Sequence, residues 1–197
     1  MVTDAGPELA AARAIAAAVP DPELPMVTVA DLGILRDVAE EQGQLVVTIT
    51  PTYSGCPALR EIAHDLQRRL AAAGYAKVAV RTALAPAWTS DWITADGHRK
   101  LREAGIAPPH AAARHQGPVP LTLTATRRSP VPCPHCGSPR TAQTAAFSGT
   151  ACKALYRCES CREPFEYVKD FLWRDPGPNS TRSPWRGSTR SPTTPPR

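Results

Sequence analysis

Two Cys-x-x-Cys knuckles, Cys133-Pro134-His135-Cys136 and Cys158-Glu159-Ser160-Cys161, restrict what the second half of this chain can become more than any other feature. In each knuckle two thiolates are spaced to grip one ion, and Gly137 permits a tight turn beneath the first. The 21 residues between Cys136 and Cys158 suit a hairpin that carries one knuckle back to the other. Four thiolates at about 2.3 Å around one metal make a closed structural site with no open position for catalysis. Spacing does not separate tetrahedral sulfur sites, so Zn²⁺ is the expected occupant and iron the alternative. A module of about 45 residues is too small for a self-sufficient core, and metal binding would supply much of its folding free energy. Phe165, Tyr167, Phe171 and Trp173 offer a final strand and its packing. Cys152 lies outside the four; it shares strand parity with Ala154 and Tyr156, which leaves it either buried or a spare thiol.

Reading the knuckles as ligands depends on the compartment. The N-terminus lacks a basic start, and its alanine-rich stretch is interrupted by Glu8 and Arg13, so it does not read as a signal peptide. No segment approaches the roughly 20 apolar residues that span a bilayer. A cytoplasmic chain is expected, with no membrane partner, and its six cysteines then read as metal ligands or reactive thiols rather than disulfides. The net charge of +5 is concentrated at the end, where five arginines from Arg174 onward face one acid, Asp175. A nucleic-acid reader carries its basic stripe on the folded part, so no nucleic-acid partner is expected.

The first half is organised around Thr48-Ile49-Thr50-Pro51-Thr52-Tyr53-Ser54-Gly55-Cys56-Pro57. Gln44 to Thr50 alternates, with Leu45, Val47 and Ile49 on one face and Val46, Thr48 and Thr50 on the other, which predicts a strand. From Pro57 to Ala73, Leu59, Ile62, Leu66 and Leu70 form an apolar stripe completed by Ala63, which predicts a helix stopped by Gly74. Cys56 therefore sits at a helix N-terminus, where unpaired N–H groups favour a thiolate that can bind metal or attack an electrophile. The other reading is a small buried hydrophobe under the loop.

Around this unit the order is α then β. Pro7 to Val19 reads as a cover helix ended by Pro20. Asp21-Pro22-Glu23-Leu24-Pro25 reads as an exposed loop holding two carboxylates. A turn through Asp31-Leu32-Gly33 delivers a strand from Ile34 to Ala39, and Glu40-Glu41-Gln42-Gly43 turns it antiparallel into the next. Lys77 to Leu84 alternates again, so strand, helix, strand implies a right-handed parallel crossover. The fold class is α+β: a small mixed three-stranded sheet with packed helices, then a β zinc ribbon and a disordered tail. Trp88 and Trp92 either close the core or offer a docking edge. Thr94 caps a helix that runs to Ala104, and Gly105 stops it before Pro108-Pro109. His98, His110 and His115 lack a second ligand at useful spacing and read as solvent-exposed. The expected segments are 1–106, a linker at 107–128 with a short strand at Leu121 to Thr124, the ribbon at 129–173, and a Pro/Ser/Thr/Arg-rich tail at 174–197.

Asp21-Pro22-Glu23, Asp31-Leu32-Gly33-Ile34, Thr48-Ile49-Thr50 and Gly55-Cys56-Pro57 together resemble the metal–sulfur cluster assembly domain family, which includes SufT and the cytosolic iron–sulfur targeting factors. Thr89 to Thr94, Gly105 to Pro109, Cys152 to Cys158 and Glu163-Pro164-Phe165 narrow the resemblance to the PaaD family, accessory subunits of the bacterial phenylacetyl-CoA 1,2-epoxidase system. The likeness covers nearly everything up to Trp173 and omits the tail. It implies a non-catalytic role in aerobic phenylacetate degradation, assisting assembly or repair of a metal centre. The other epoxidase subunits, above all the ferredoxin-type reductase, and the iron–sulfur assembly machinery are the implied partners. It also implies that Cys56 is a transient ligand of an iron–sulfur cluster and that Asp21, Glu23, Thr48 and Thr50 form its polar rim.

Two further readings stand beside that one. The chain could be a structural or electron-carrying component whose ribbon holds redox-active iron in Cys133, Cys136, Cys158 and Cys161. Nucleophilic catalysis by Cys56 would require a neighbouring base, and His64, the nearest histidine in sequence, lies across the helix from the apolar stripe.

Overall fold

Alternation and helical periodicity set the elements of the N-terminal half. The computed structural model describes residues 6–53, 55–110 and 130–171. A helix α1 (Pro7–Ala17) precedes β1 (Leu35–Glu41), β2 (Gln44–Ile49), α2 (Ala58–Ala72) and β3 (Val78–Thr82). β1 and β2 pair antiparallel through a two-residue turn, Gln42-Gly43, whose φ values of 53° and 75° give the left-handed backbone conformation that matches a tight turn to the right-handed twist of the strands. β3 joins β2 in parallel after the α2 crossover, giving the order β1-β2-β3. Central β2 is buried at Leu45, Val47 and Ile49, against which α2 lays Ile62, Leu66 and Leu70 and α1 lays Ala12 and Ala16. Each of the larger side chains contributes about 1.5–3 kcal/mol by leaving water. β3 is shorter than the alternation predicts. It ends at Thr82 and leaves Leu84 63 % exposed, with no further strand or helix among the described residues covering that end.

The Asp31-Leu32-Gly33 turn is a structural hub. Asp31 is 8 % exposed; its carboxylate accepts from the Thr28 N–H at 2.8 Å and from Lys100 Nζ at 2.8 Å, and its carbonyl accepts from the Thr94 N–H. Burial works against the Asp31 charge, but Lys100 and Thr28 hold its carboxyl below the ordinary aspartate value. A side chain on Gly33 would meet Trp92 at 2.6 Å, and one on Gly97 would meet the Asp31 carbonyl at 2.7 Å, so both glycines permit close approach. Thr94 caps α3 (Ala95–Glu103), its Oγ1 accepting from the Gly97 N–H at 3.0 Å. Of the two tryptophans, Trp88 is a core residue that donates to the Leu32 carbonyl at 2.8 Å. Trp92 is half-buried, with the Arg36 guanidinium 3.7 Å from its ring centroid.

The cysteine-rich half forms β5 (Thr141–Ala145), β6 (Lys153–Cys158) and β7 (Pro164–Val168), all antiparallel. A fourth strand, β4 (Ile106–Ala107), adds to β7 in parallel, giving the order β4-β7-β6-β5. Sequence reading stops the N-terminal unit at that point and assigns no strand there. The pairing of Ile106 with Glu166 and of Ala107 with Tyr167 is long-range and leaves no local periodicity. The two halves also share a core: Ile106 and Val168 belong to the cluster built on α2, and Phe171 packs edge-to-face on Trp88 at 5.7 Å. The Phe171 carbonyl accepts from the Ser90 N–H and from Thr89 Oγ1. His110 is not free in solvent: its N–H donates to Asp170, and its ring lies 3.0 Å from Tyr167 Oη and 3.2 Å from the Pro130 carbonyl. His98 is half-buried rather than exposed. The expected strand at Leu121 to Thr124, His115, Trp173 and the tail at 174–197 lie outside the described residues.

Candidate functional site

The hairpin of β5 and β6 brings the knuckles together as their spacing requires. Sγ of Cys133 stands 3.7 Å from that of Cys161, and Sγ of Cys136 stands 3.6 Å from that of Cys158. All four sulfurs lie within 4.8 Å of one another. A tetrahedron with metal–sulfur bonds of about 2.3 Å has edges of about 3.8 Å, so the set fits one tetrahedral ion. The Ser160 and Cys161 N–H groups point at Cys158 Sγ at 3.3 and 3.5 Å. The Cys161 N–H first, with the Ser160 N–H and the neighbouring thiols, pulls the Cys158 thiol down to about 6, which favours the thiolate a metal needs. Cys133 and Cys158 are buried under Val131, Phe165 and Tyr167, with Ala107 of β4 in the same cluster.

The second thiol centre lies where the halves meet. Cys56 precedes α2 directly; its N–H donates to the Tyr53 carbonyl at 3.1 Å, and its side chain is half-buried against the N-terminal core. Asp21 is only 6 % exposed, which corrects the expectation of a solvated loop carboxylate. Its Oδ1 accepts from the N–H groups of Glu23 and Leu24 at 2.8 and 2.9 Å, closing a turn that points the carboxylate inward. Glu23 is half-buried beside it. Burial pushes both carboxyls above their ordinary values.

Cys56 does not behave as a simple helix-end thiolate. Burial pushes its thiol up, the Ala58 N–H pulls it back, and the carboxylates of Glu23 and Asp21 together with Cys152 push it up again. The net direction is above an ordinary thiol, because desolvation and two nearby negative charges outweigh one oriented N–H. A group so placed stays protonated at neutral pH and ionises when a cation arrives.

The polar rim is only partly assembled. Thr50 is 1 % exposed, and its Oγ1 is buried without a hydrogen-bond partner, an uncommon state for a hydroxyl. Thr48 is half-buried in β2 between Asp37 of β1 and Arg81 of β3. Among the described residues no side-chain hydrogen bond ties it to Cys56. His64 is exposed.

Two neighbours of the site, Tyr53 and Lys153, have no role in the sequence reading. Tyr53 faces Cys56, Cys152 and Glu23. Lys153, 6 % exposed, pairs with Glu166 at 2.7 Å and acts on Asp21, Glu23 and Cys152. Cys152, expected to be buried or a spare thiol, is half-buried and reaches this centre from the ribbon. The signal for Lys153 is a cation within an apolar strand, but Asp21 and Glu23, on which it acts across the site, are more than a hundred residues away in sequence.

Residues 10–82 match the family described as iron-sulfur cluster assembly protein, and residues 117–169 match the PaaD zinc beta ribbon domain. An Escherichia coli (strain K12) protein, named as a putative subunit of 1,2-phenylacetyl-CoA epoxidase, is 42 % identical over 171 residues, covering 86 % of this chain and 97 % of its own. Two solved structures resemble the chain in part. A domain of unknown function, DUF59, from Bacillus anthracis is 29 % identical, with a TM-score of 0.44, over 47 % of this chain and 90 % of that one. Rv1466 from Mycobacterium tuberculosis, described as associated with Fe-S complex assembly and repair, is 32 % identical, with a TM-score of 0.30, over 53 % and 94 %.

Proposed function

The chain belongs to the PaaD family of 1,2-phenylacetyl-CoA epoxidase subunits, and from that premise we propose that it is a non-catalytic accessory factor that helps assemble or repair a metal centre of the epoxidase system. The observation that carries this reading is the placement of Cys56. A protonated, half-buried thiol faces two carboxylates at the start of α2, inside a segment that matches iron–sulfur cluster assembly proteins.

Iron–sulfur clusters are bound by thiolates, and their passage between proteins requires a site that ligates incompletely. Cys56 supplies the transient ligand. Asp21 and Glu23 hold negative charge beside it to attract iron and to accept the proton it sheds, while Thr48 and Thr50 complete the rim. The ribbon's Cys133, Cys136, Cys158 and Cys161 would hold Zn²⁺, which supplies folding free energy and no chemistry. The epoxidase subunits are the working partners, with the ferredoxin-type reductase as the cluster-bearing client and the cytoplasmic iron–sulfur assembly machinery as donor. Among the described residues no helix is long and apolar enough to cross a membrane.

The test is iron, zinc and acid-labile sulfide per chain after anaerobic purification of the wild type and of Cys56→Ala. One zinc in both, with iron and sulfide only where Cys56 is present, is the expected result. Iron retained in the ribbon of the variant would replace this reading with an electron carrier, since four sulfurs at these separations accommodate iron equally well.

A further inference from the structure

The cluster-handling site proposed above draws on one module only, yet the ribbon delivers a second thiol to the same place. Cys152 immediately precedes β6, at the end of the ribbon that docks on the N-terminal core. Its carbonyl accepts from the Lys169 N–H at 2.9 Å, and the next residue, Lys153, pairs with Val168. Val168 lies in the core cluster that contains Ile62 and Leu66, and Phe171, two residues beyond Lys169, closes on Trp88. These contacts tie the strand end that carries Cys152 to the segment that docks on the N-terminal half. Its Sγ lies 3.1 Å from Thr150 Oγ1 and is half-buried.

From there Cys152 stands within electrostatic reach of Asp21, Glu23, Tyr53 and Cys56. Lys153 neutralises part of the carboxylate charge that the two thiols share. The Oγ1 of Thr50, at the foot of the loop that carries Cys56, is buried with no hydrogen-bond partner among the described residues.

We propose that Cys56 and Cys152 are the two protein thiols of one composite site at the seam of the modules, taking an iron–sulfide cluster as cargo. This rests on the cluster-handling reading of Cys56. The ligand count explains why the site would pass its cargo on. A cluster is usually held by four protein ligands, and two thiols leave the other half open to a donor or client. Among the described residues the Cys₄ set is the sole group of three or more ligand atoms gathered within 4.8 Å, so the seam does not close on a single ion. On binding, each thiol forms one sulfur–iron bond as the donor's thiolate leaves that iron and takes up the proton the thiol sheds; no electron is transferred.

The experiment is anaerobic transfer of a preformed 2Fe–2S cluster, carried by a small thiol, to the zinc-filled full-length protein. Wild type, Cys56→Ala, Cys152→Ser and Cys152→Ala are compared by iron and sulfide per chain and by visible absorption. The expected result is that both Cys152 variants fall to the level of Cys56→Ala, several-fold below wild type, while all keep one zinc. Wild-type loading in the Cys152 variants with loss in Cys56→Ala would overturn the composite site and leave the Cys56 reading intact. Wild-type loading in all three variants would overturn both. Loss of zinc from both Cys152 variants would make Cys152 a support of the ribbon and sink the inference.

Discussion

The two thiol centres use the same chemistry in opposite ways. In the ribbon, four sulfurs lie within 4.8 Å of one another, and backbone N–H groups favour ionisation of Cys158. At the seam, Cys56 and Cys152 are both held above an ordinary thiol value by burial and by the carboxylates of Asp21 and Glu23. Number of ligands and local field together separate a site built to keep a metal from the one proposed to release its cargo. The difference is written in the surroundings of the sulfurs, not in the sulfurs.

Breaking the closed site should have the largest effect. Cys158→Ser leaves three thiols and removes the most readily ionised one, and a structural metal contributes on the order of 10 kcal/mol. The expected outcome is loss of bound metal and of near-ultraviolet circular dichroism from Tyr156, Phe165 and Tyr167, with the helical far-ultraviolet signal retained. A variant that keeps both metal and aromatic signal would show that the sites differ less than described.

A smaller effect is expected at the clasp between them. Phe171→Ala removes the ring packed on Trp88 and should cost about 2–3 kcal/mol, less than a fully buried aromatic. Tryptophan fluorescence should shift as Trp88 gains water, and cluster loading should fall while zinc stays at one per chain. Unchanged loading would separate the open site from the docking of the ribbon.

The mildest change is Asp21→Asn, which keeps an acceptor for Glu23 and Leu24 but deletes a charge that raises the thiol. The Cys56 value should then fall, and alkylation by iodoacetamide at neutral pH should rise, by at most about tenfold for each unit of the fall. Mass spectrometry of the zinc-filled protein in a Cys152→Ala background reads it. The sign also sets a pH dependence: cluster loading should strengthen as pH rises, because a thiol held high loses its proton only toward alkaline pH.

Local patterns made much of this legible. The knuckles at Cys133–Cys136 and Cys158–Cys161, the Val47/Ile49 alternation and the Ile62/Leu66/Leu70 stripe are each contained in one short window, and each forms as its spacing implies. What escaped depends on distant neighbours. Asp21 looks like loop charge until the turn through Leu24 carries it inward, toward Lys153. A helix start predicts an ionised Cys56 until burial, with two acids from another loop and a thiol from another module, opposes it. β4 is two residues long, and its partner strand lies almost sixty residues further along the chain.

That short strand has a consequence for how the chain comes into being. Ile106 and Ala107 leave the ribosome well before Glu166 and Tyr167, so the first half emerges with an unfinished edge that waits for its mate. Closing so long a loop carries an entropic cost that later contacts must offset. A cut after β3 or β4 therefore does not yield two tidy parts. A separately expressed ribbon would need to carry Ile106-Ala107 with it, and a separately expressed first half would lack the cover of Val168 and Phe171.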